Sequence, residues 1–592
     1  MKKWLIGLLV LAVLVSAVAV CFSSCNGGEG GSENSGTTDN ADLTDTSQMD
    51  FAFTDRELSA EAAEGTPISS GQTVVNAGTY RISGSFAGPL VVDAGNNKVQ
   101  IIFDNASLSC ADGPAVYIKA ADKVFITLVG ENTVTDSLSY GESYITDGAD
   151  GAIFSRADLA INGAGSLTVT GAYKHGIVSK DDLVITGGTV TVNATNVGIS
   201  GKDCVKITSC ALDITAGTDG IRSDNTEDAN RGYVYLKDGT ARIKAGADGI
   251  QASTVIKCEN PSVAVEAASK GIKASADILI SGGEYTVKST DDCVHSNHSV
   301  SISGGILTLT SGDDGIHADT DLEIADGVIV VTKSYEGLEG SKILISGGKM
   351  DITASDDGVN AAGGNDGSSL GGRPGMGMFS SSTGEIQISG GYLLVNAAGD
   401  GIDSNGPIHM SGGVVLVSGP TNSGNGAFDC DGTATVTGGY LIALGSSGMA
   451  QGFSSAENQG AALVSFGSLQ AGTSFAVCDE SGNVLISFTP EKAYQCAAIT
   501  APGIQLNGTY SVVVGGTVSF IKVPHRKTAQ RRGLTKKDHT KGVCPGVVSL
   551  SVCIFWPYSS YRSRQKPNCI VGGLGSLASK SWRKITPTLV IL

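Results

Sequence analysis

Asp291-Asp292-Cys293-Val294-His295, Ser301-Ile302-Ser303-Gly304-Gly305-Ile306-Leu307-Thr308-Leu309 and Asp313-Asp314-Gly315-Ile316-His317 follow one another along the chain. The outer two segments are 22 residues apart and share one pattern: two acids, a small residue, an aliphatic residue and a histidine. Working outward, the small-then-aliphatic step recurs from Ala152-Ile153 to Ala427-Phe428, through Gly176-Ile177, Gly198-Ile199, Gly220-Ile221, Gly249-Ile250, Gly271-Ile272, Gly337-Leu338, Gly358-Val359 and Gly401-Ile402. The spacings are 24, 22, 22, 29, 22, 22, 22, 22, 21, 43 and 26, a period of 22 with insertions. Two further runs in each unit alternate apolar and polar residues around a corner that is often Gly-Gly, as in Ile343–Ile352, which reads as short strands. Three such strands and three tight corners use up one unit. A lone unit has nothing to bury its apolar face against, so successive units must stack.

Stacked units pair as parallel strands about 4.8 Å apart, which turns the aliphatic residues from Ile153 to Ile402 into an inward column. The chirality of parallel crossovers predicts a right-handed coil. The expected fold is therefore all-β, a right-handed parallel β-helix, and the twelve legible turns predict a rod of about 58 Å. A leucine-rich repeat would need Leu and Asn at fixed offsets, and the calcium-binding nonapeptide roll has a shorter period. Past Gly439 the repeat fades, and 465–521 reads as a small C-terminal β cap, which the open end of a solenoid requires.

The flanks differ from this body. Lys2-Lys3, an apolar run from Trp4 to Phe22 and Ser23-Ser24-Cys25 form an export signal over 1–25, with Cys25 the expected lipidation residue and a retained membrane helix the alternative. Residues 26–65 read as a flexible tether, rich in Gly, Ser, Thr, Asn and Asp at their start, and 66–464 as the coil. Residues 522–592 carry 14 of the 40 Lys and Arg and one of the 58 acids, so the first 521 residues hold 26 bases and 57 acids, a net of −31. Such a surface excludes nucleic acid and anionic lipid headgroups as partners and suits cations, or ligands recruited through them. The basic tail has lost the repeat and reads as a shifted reading frame without ordered structure, a basic arm being the other reading. Cys478 and Cys496 are candidates to pair, whereas Cys204, Cys210, Cys258 and Cys293 fall in apolar-patterned runs that suit buried thiols.

Acids stand just before the recurring small residue: Asp150, Asp219, Asp248, Asp291-Asp292, Asp313-Asp314, Glu336, Asp356-Asp357 and Asp400. Two residues after it an expected outward position holds, in order, Arg222, Gln251, Lys273, His295, His317, Glu339, Asn360 and Asp403. One turn apart, like charges repel by roughly 1 kcal/mol in water and about 3.5 kcal/mol at an effective dielectric of 20. A single Asp-Gly is ordinary turn chemistry, but paired acids at one offset in neighbouring turns exceed what a turn needs. The metal candidates are Asp219, Asp248, Asp291, Asp292, Asp313, Asp314, Asp356, Asp357, Asp400 and Asp403, and Ca²⁺ is the ion that hard oxygens converging from two turns suit. Lys273, His295, His317 and Asn360 are candidates for ligand contact, with the two histidines as surface groups or, alternatively, transition-metal ligands. Two insertions, Asn225–Arg231 and Gly363–Thr383, leave the same corner and flank this edge.

These residues resemble a family of bacterial carbohydrate-binding lipoproteins built on a right-handed parallel β-helix. The likeness spans Thr66 to Gly516, through Gly78–Gly84, the Ile-Ser-Gly-Gly corners, Asp313–Ala318 and the Gly-rich segment before Gly384. It implies bound calcium and binding of polygalacturonate-like or cellulosic polysaccharide. The fold is similar to that of pectate lyases of polysaccharide lyase family 9, in which an aspartate cluster holds calcium and a lysine acts as base. The aspartate pairs match that calcium motif. No lysine matches the base, Lys270 and Lys273 being candidates by proximity alone, so the resemblance favours binding without catalysis over a pectate-type lyase. A structural surface adhesin is the third reading. Trp4, Trp556 and Trp582 all lie outside the coil, which leaves no indole there for sugar stacking. The expected partners are an acidic polysaccharide and, through the lipid anchor, a membrane at the cell surface.

Overall fold

The computed structural model describes residues 43–53, 64–361, 384–523 and 532–533. The export signal, Cys25, the insertion Gly363–Thr383 and the tail past residue 523, apart from 532–533, lie outside the described residues. The described chain is a parallel β-solenoid of about 16 turns. This exceeds the twelve legible turns because units before Asp150, such as Gly78–Ala87 and Lys98–Ser109, also coil without the Gly-Ile step. Among the described residues helix is confined to Glu142–Thr146.

Each turn contributes strands to three ladders. In the first, Ile250, Ile272, Val294, Ile316, Leu338, Val359 and Ile402 stand opposite one another in successive turns. In the third, Ile243, Val265, Val287, Leu309, Val331, Ile352, Val395 and Val417 do the same. All of these belong to one continuous core running the length of the coil. Between the second and third ladders, Gly283, Gly305 and Gly327 take φ of 100°, 102° and 111°, a left-handed corner that glycine enters without steric cost. In other turns Ser209, Asp238 and Asn260 enter the left-handed region near this corner, at φ of 53°, 53° and 56°.

The recurring glycine has a different cause. A Cβ on Gly249 would meet the carbonyl oxygen of Gly271 at 2.5 Å and run into Val265 Cγ1. Gly249→Ala is therefore expected to cost about 1–3 kcal/mol, as overpacking of a filled core does, measured as a lowered denaturation midpoint with unchanged slope.

Residues 43–53, assigned above to a flexible tether, instead lie along the coil. Met49 is buried, Phe51 meets Tyr233 and Tyr235 edge-on with centroids 5.1 and 5.2 Å apart, and Phe53 stacks on Tyr235 at 5.2 Å. The Lys206 ammonium, fully buried, donates to Asp50 Oδ2 at 3.2 Å and to the Ala52 carbonyl at 3.0 Å. Composition hid this because Met49, Phe51 and Phe53 put their apolar groups on one side of an extended strap.

The cap forms as expected. Tyr494–Thr500 pairs antiparallel with Tyr440–Gly445 and Ala461–Leu469, closing the last open edge. Beyond it, Val484–Phe488, Phe475–Cys478, Thr509–Val514 and Thr517–Lys522 make a four-stranded antiparallel sheet over a second core. Cys478 and Cys496 are buried thiols, Cys496 donating to the Ser446 carbonyl at 2.9 Å. Cys204, Cys210, Cys258 and Cys293 are buried thiols too, as their runs predict.

Candidate functional site

Stacking places the acids in a column, and backbone hydrogen bonds from four of the recurring glycines to the acid's carbonyl one turn on hold the register: Gly220 to Asp248, Gly271 to Asp292, Gly315 to Glu336, Gly358 to Asp400. The side chains reinforce it. The N–H of Asp248 donates to Asp219 Oδ1 at 3.3 Å, Lys270 to Asp248 Oδ1 at 3.0 Å, Asp314 to Asp292 Oδ1 at 3.0 Å, Glu336 to Asp314 Oδ1 at 3.2 Å and Asp400 to Asp357 Oδ1 at 2.5 Å. Each of these aspartates thus caps the backbone of the next turn, not its own, and uses one oxygen to do so.

The position two residues after the glycine forms the adjoining column, in register from Arg222 through Gln251, Lys273, His295, His317, Glu339 and Asn360 to Asp403. Its charge changes along the coil. In the lower turns every acid has a cation: Arg222 lies 3.4 Å from Asp219, Lys273 3.5 Å from Asp248, and Lys270 2.9 Å from Asp291 and 2.5 Å from Asp292. In the middle turns the imidazole of His317 touches Asp314, Glu339 and Asp319. In the upper turns Asp357, Asp400 and Asp403 bring carboxylate oxygens within 4.8 Å of one another. Among the described residues no Lys, Arg or His pairs with them.

The upper cluster bears the marks of that imbalance. Burial, with Asp356, Asp400 and Asp403 adding to it, pushes Asp357 up to about 8. Burial pushes Asp400 up to about 6 against the Gly426 amide, with Asp429 and Asp356 contributing. Burial together with Asp400, Asp429 and Asp431 pushes Asp403 up to about 7. Beside them Asn360, 5% exposed, gives its amide N–H to Glu336 Oε2 at 2.7 Å and leaves Oδ1 buried with no partner among the described residues. A buried carbonyl oxygen without a donor costs free energy, and three carboxylates and one amide oxygen are the donor types Ca²⁺ takes.

A family model described as carbohydrate-binding domain-containing protein matches residues 70–315 and 313–503, most of the coil and its cap. The chain belongs to that family. A carbohydrate-binding domain-containing protein of Acetivibrio thermocellus is 32% identical over 193 residues, 32% of this chain, and the match spans 65% of that relative's length. A solved structure titled polysaccharide lyase-like protein from C. thermocellum, gadolinium derivative, is 34% identical, covers 35% of this chain and 86% of that one, and superposes with a TM-score of 0.35.

In this carbohydrate-binding-domain protein the expected metal residues divide four ways, Asp314 going to His317. Asp357, Asp400 and Asp403 converge, and Asp356 adjoins them. Asp291, Asp292 and Asp313 also group within 4.8 Å, but Lys270 already sits on the first two. Asp219 and Asp248 are each held by one cation. His295 and His317 are not surface groups: they are 6% and 0% exposed and their rings stack 4.8 Å apart. Carboxylates at the preceding acid position and polar groups two residues on enclose each ring, so neither histidine reaches a sugar. Burial pushes the Lys270 ammonium toward losing its proton, and Asp292 and Asp291 outweigh that and push its pKa up.

Sequence reading missed Glu339 and Asp319 as partners of His317, Glu336 as the partner of Asn360, and Asp429 and Asp431 beside the upper cluster. Glu339 was findable, since it follows His317 by 22 residues in the same column. A further acidic group, Asp158, Asp181 and Asp182, has Lys123 and Arg231 at 3.7 Å from its members.

Proposed function

We propose that the protein binds acidic polysaccharide without cleaving it, through Ca²⁺ held by Asp357, Asp400 and Asp403 with Asn360 Oδ1. The observation that carries this is the coincidence, in adjacent turns, of three partly buried carboxylates without a cation and an amide oxygen without a donor among the described residues. All three carboxylates keep some exposure, so an ion there has open positions on the solvent side. Ca²⁺ takes six to eight oxygens, and a uronate carboxylate supplies those the protein does not. The family match supports a carbohydrate partner. Export, lipidation at Cys25 and a place at the cell surface complete the proposal, on the strength of the N-terminal sequence.

Lys270 and Lys273, the two candidate bases, both sit on aspartates, which favours binding over β-elimination. The test is retention of the full chain on immobilised polygalacturonate with Ca²⁺ or with chelator, followed by absorbance of the unsaturated product. Retention that needs Ca²⁺, falls at least tenfold in Asp403→Asn and yields no product is the expected result. Growth of the product makes the protein a lyase, and retention indifferent to chelator removes the ion from the account.

A further inference from the structure

Asp314, His317 and Glu339 stand in the middle turns, with Glu339 one turn from Asn360 of the oxygen-only cluster. The ring Nδ1 of His317 lies 2.6 Å from Glu339 Oε2 and 3.3 Å from Asp314 Oδ2. One ring nitrogen carries at most one hydrogen, yet two carboxylates approach it, and the three ligand atoms lie within 4.8 Å of one another. On the far side Nε2 lies 3.0 Å from Asp319 Oδ1. With an ion bound, that carboxylate accepts the Nε2 hydrogen while Nδ1, its own proton displaced, faces the ion between Asp314 and Glu339, the outer-shell arrangement that orients a metal-binding imidazole.

The turn below is a built-in control. His295 repeats the geometry, with Nδ1 2.8 Å from Asp292 Oδ2 and Nε2 2.9 Å from Asn297 Oδ1. There the Lys270 ammonium, 2.5 Å from the same Asp292 oxygen, supplies the positive charge. One turn up, the residue stacked in Lys270's relation to Asp314 is Asp292 itself, and Glu339 replaces a histidine in the column. Among the described residues Asp314, Asp319 and Glu339 have no Lys or Arg partner, so three acids share one imidazole. The side chains of His317, Asp314 and Glu339 are 0%, 1% and 5% exposed, too little for water to carry that charge.

We propose that Asp314, His317 and Glu339 form a second cation site, which takes a divalent transition-metal ion through one imidazole nitrogen and two carboxylate oxygens. An imidazole in the donor set selects such an ion over Ca²⁺, whose ligands are oxygens. Binding replaces a ring proton, so uptake releases protons. The site shares no ligand with the Asp357–Asp400–Asp403 cluster and stands or falls separately from it.

The test titrates the chelator-stripped full chain with Co²⁺, followed by its visible absorption, then displaces it with Zn²⁺, in millimolar Ca²⁺ throughout. Uptake of one equivalent of Co²⁺ with a nitrogen-ligand spectrum and with proton release, then its displacement by Zn²⁺, is expected. His317→Asn and Glu339→Gln abolish it, Asp319→Asn weakens it by about 10- to 100-fold, and Asp403→Asn leaves it intact. Absence of tight Co²⁺ binding by the wild-type chain overturns the proposal whether or not the variants fold. So does binding that survives Glu339→Gln, or that Asp403→Asn removes.

Discussion

Stripped of divalent ions, the protein is expected to lose stability continuously as the pH rises from about 4 to about 8, and to recover it when Ca²⁺ is added. Asp357, Asp400 and Asp403 start from 3.8 in the unfolded chain and reach about 8, 6 and 7 in the folded one. A carboxyl group raised by folding keeps its proton longer in the native state. Between the two values the native state therefore binds more protons, and the free energy of unfolding falls as pH rises. Below pH 4 the cost is absent; above 8 it is complete. Each tenfold change in proton affinity is worth about 1.4 kcal/mol, so the three groups together forfeit several kcal/mol over that window. Asp314 and Glu336, also raised by burial, slope the same way. Ca²⁺ supplies the charge that the protons supplied, and at a hundredfold excess over its dissociation constant adds about 2.7 kcal/mol. Denaturant titrations at several pH values, with chelator and with Ca²⁺, measure both effects. Asp403→Asn is expected to flatten the ion-free slope and abolish the Ca²⁺ response. Stability that rises with pH in the ion-free protein, or ignores Ca²⁺ at pH 8, contradicts the assignment.

Replacing Lys270 is expected to be the most damaging single change on the acidic edge. Its ammonium, 12% exposed, bonds Asp291 and Asp292, and the Asp292 side chain is 2% exposed. Lys270→Met leaves a buried carboxylate with His295 as its remaining ionic partner, and breaking a buried pair from one side costs about 3–5 kcal/mol. Asp292→Asn added to Lys270→Met is expected to return much of that loss, because the uncompensated charge goes with it. Chemical denaturation of the single and double variants measures the coupling. A loss below 1 kcal/mol, or one the second change deepens, shows that Lys270 is not the counter-ion of this turn.

These expectations draw unequally on the sequence. The period of 22 was legible because packing makes every turn repeat the same demand: a small residue where a Cβ would strike the next turn, then an aliphatic side chain pointing inward. The acid column was legible for a related reason, since its members occupy one offset. Their different fates were not. Asp292, Asp314 and Asp357 look alike in the repeat, yet one meets Lys270, one meets His317 and one meets other aspartates. The strap at 43–53 escaped notice because three apolar residues among polar ones carry no signal until a matching apolar stripe, with Tyr233 and Tyr235, is seen across from them.

From the amino-acid order alone came the coil, the inward column, the cap and the alignment of acids on one edge, because all four follow from short-range pattern repeated at a constant interval. Only the folded molecule decided which acids keep a counter-ion, that the histidines are buried, and that Asn360 keeps an oxygen without a donor. Charge balance is settled between side chains one turn apart in space, and the reach of a lysine or the aim of an imidazole across that gap is written in no single unit of the repeat.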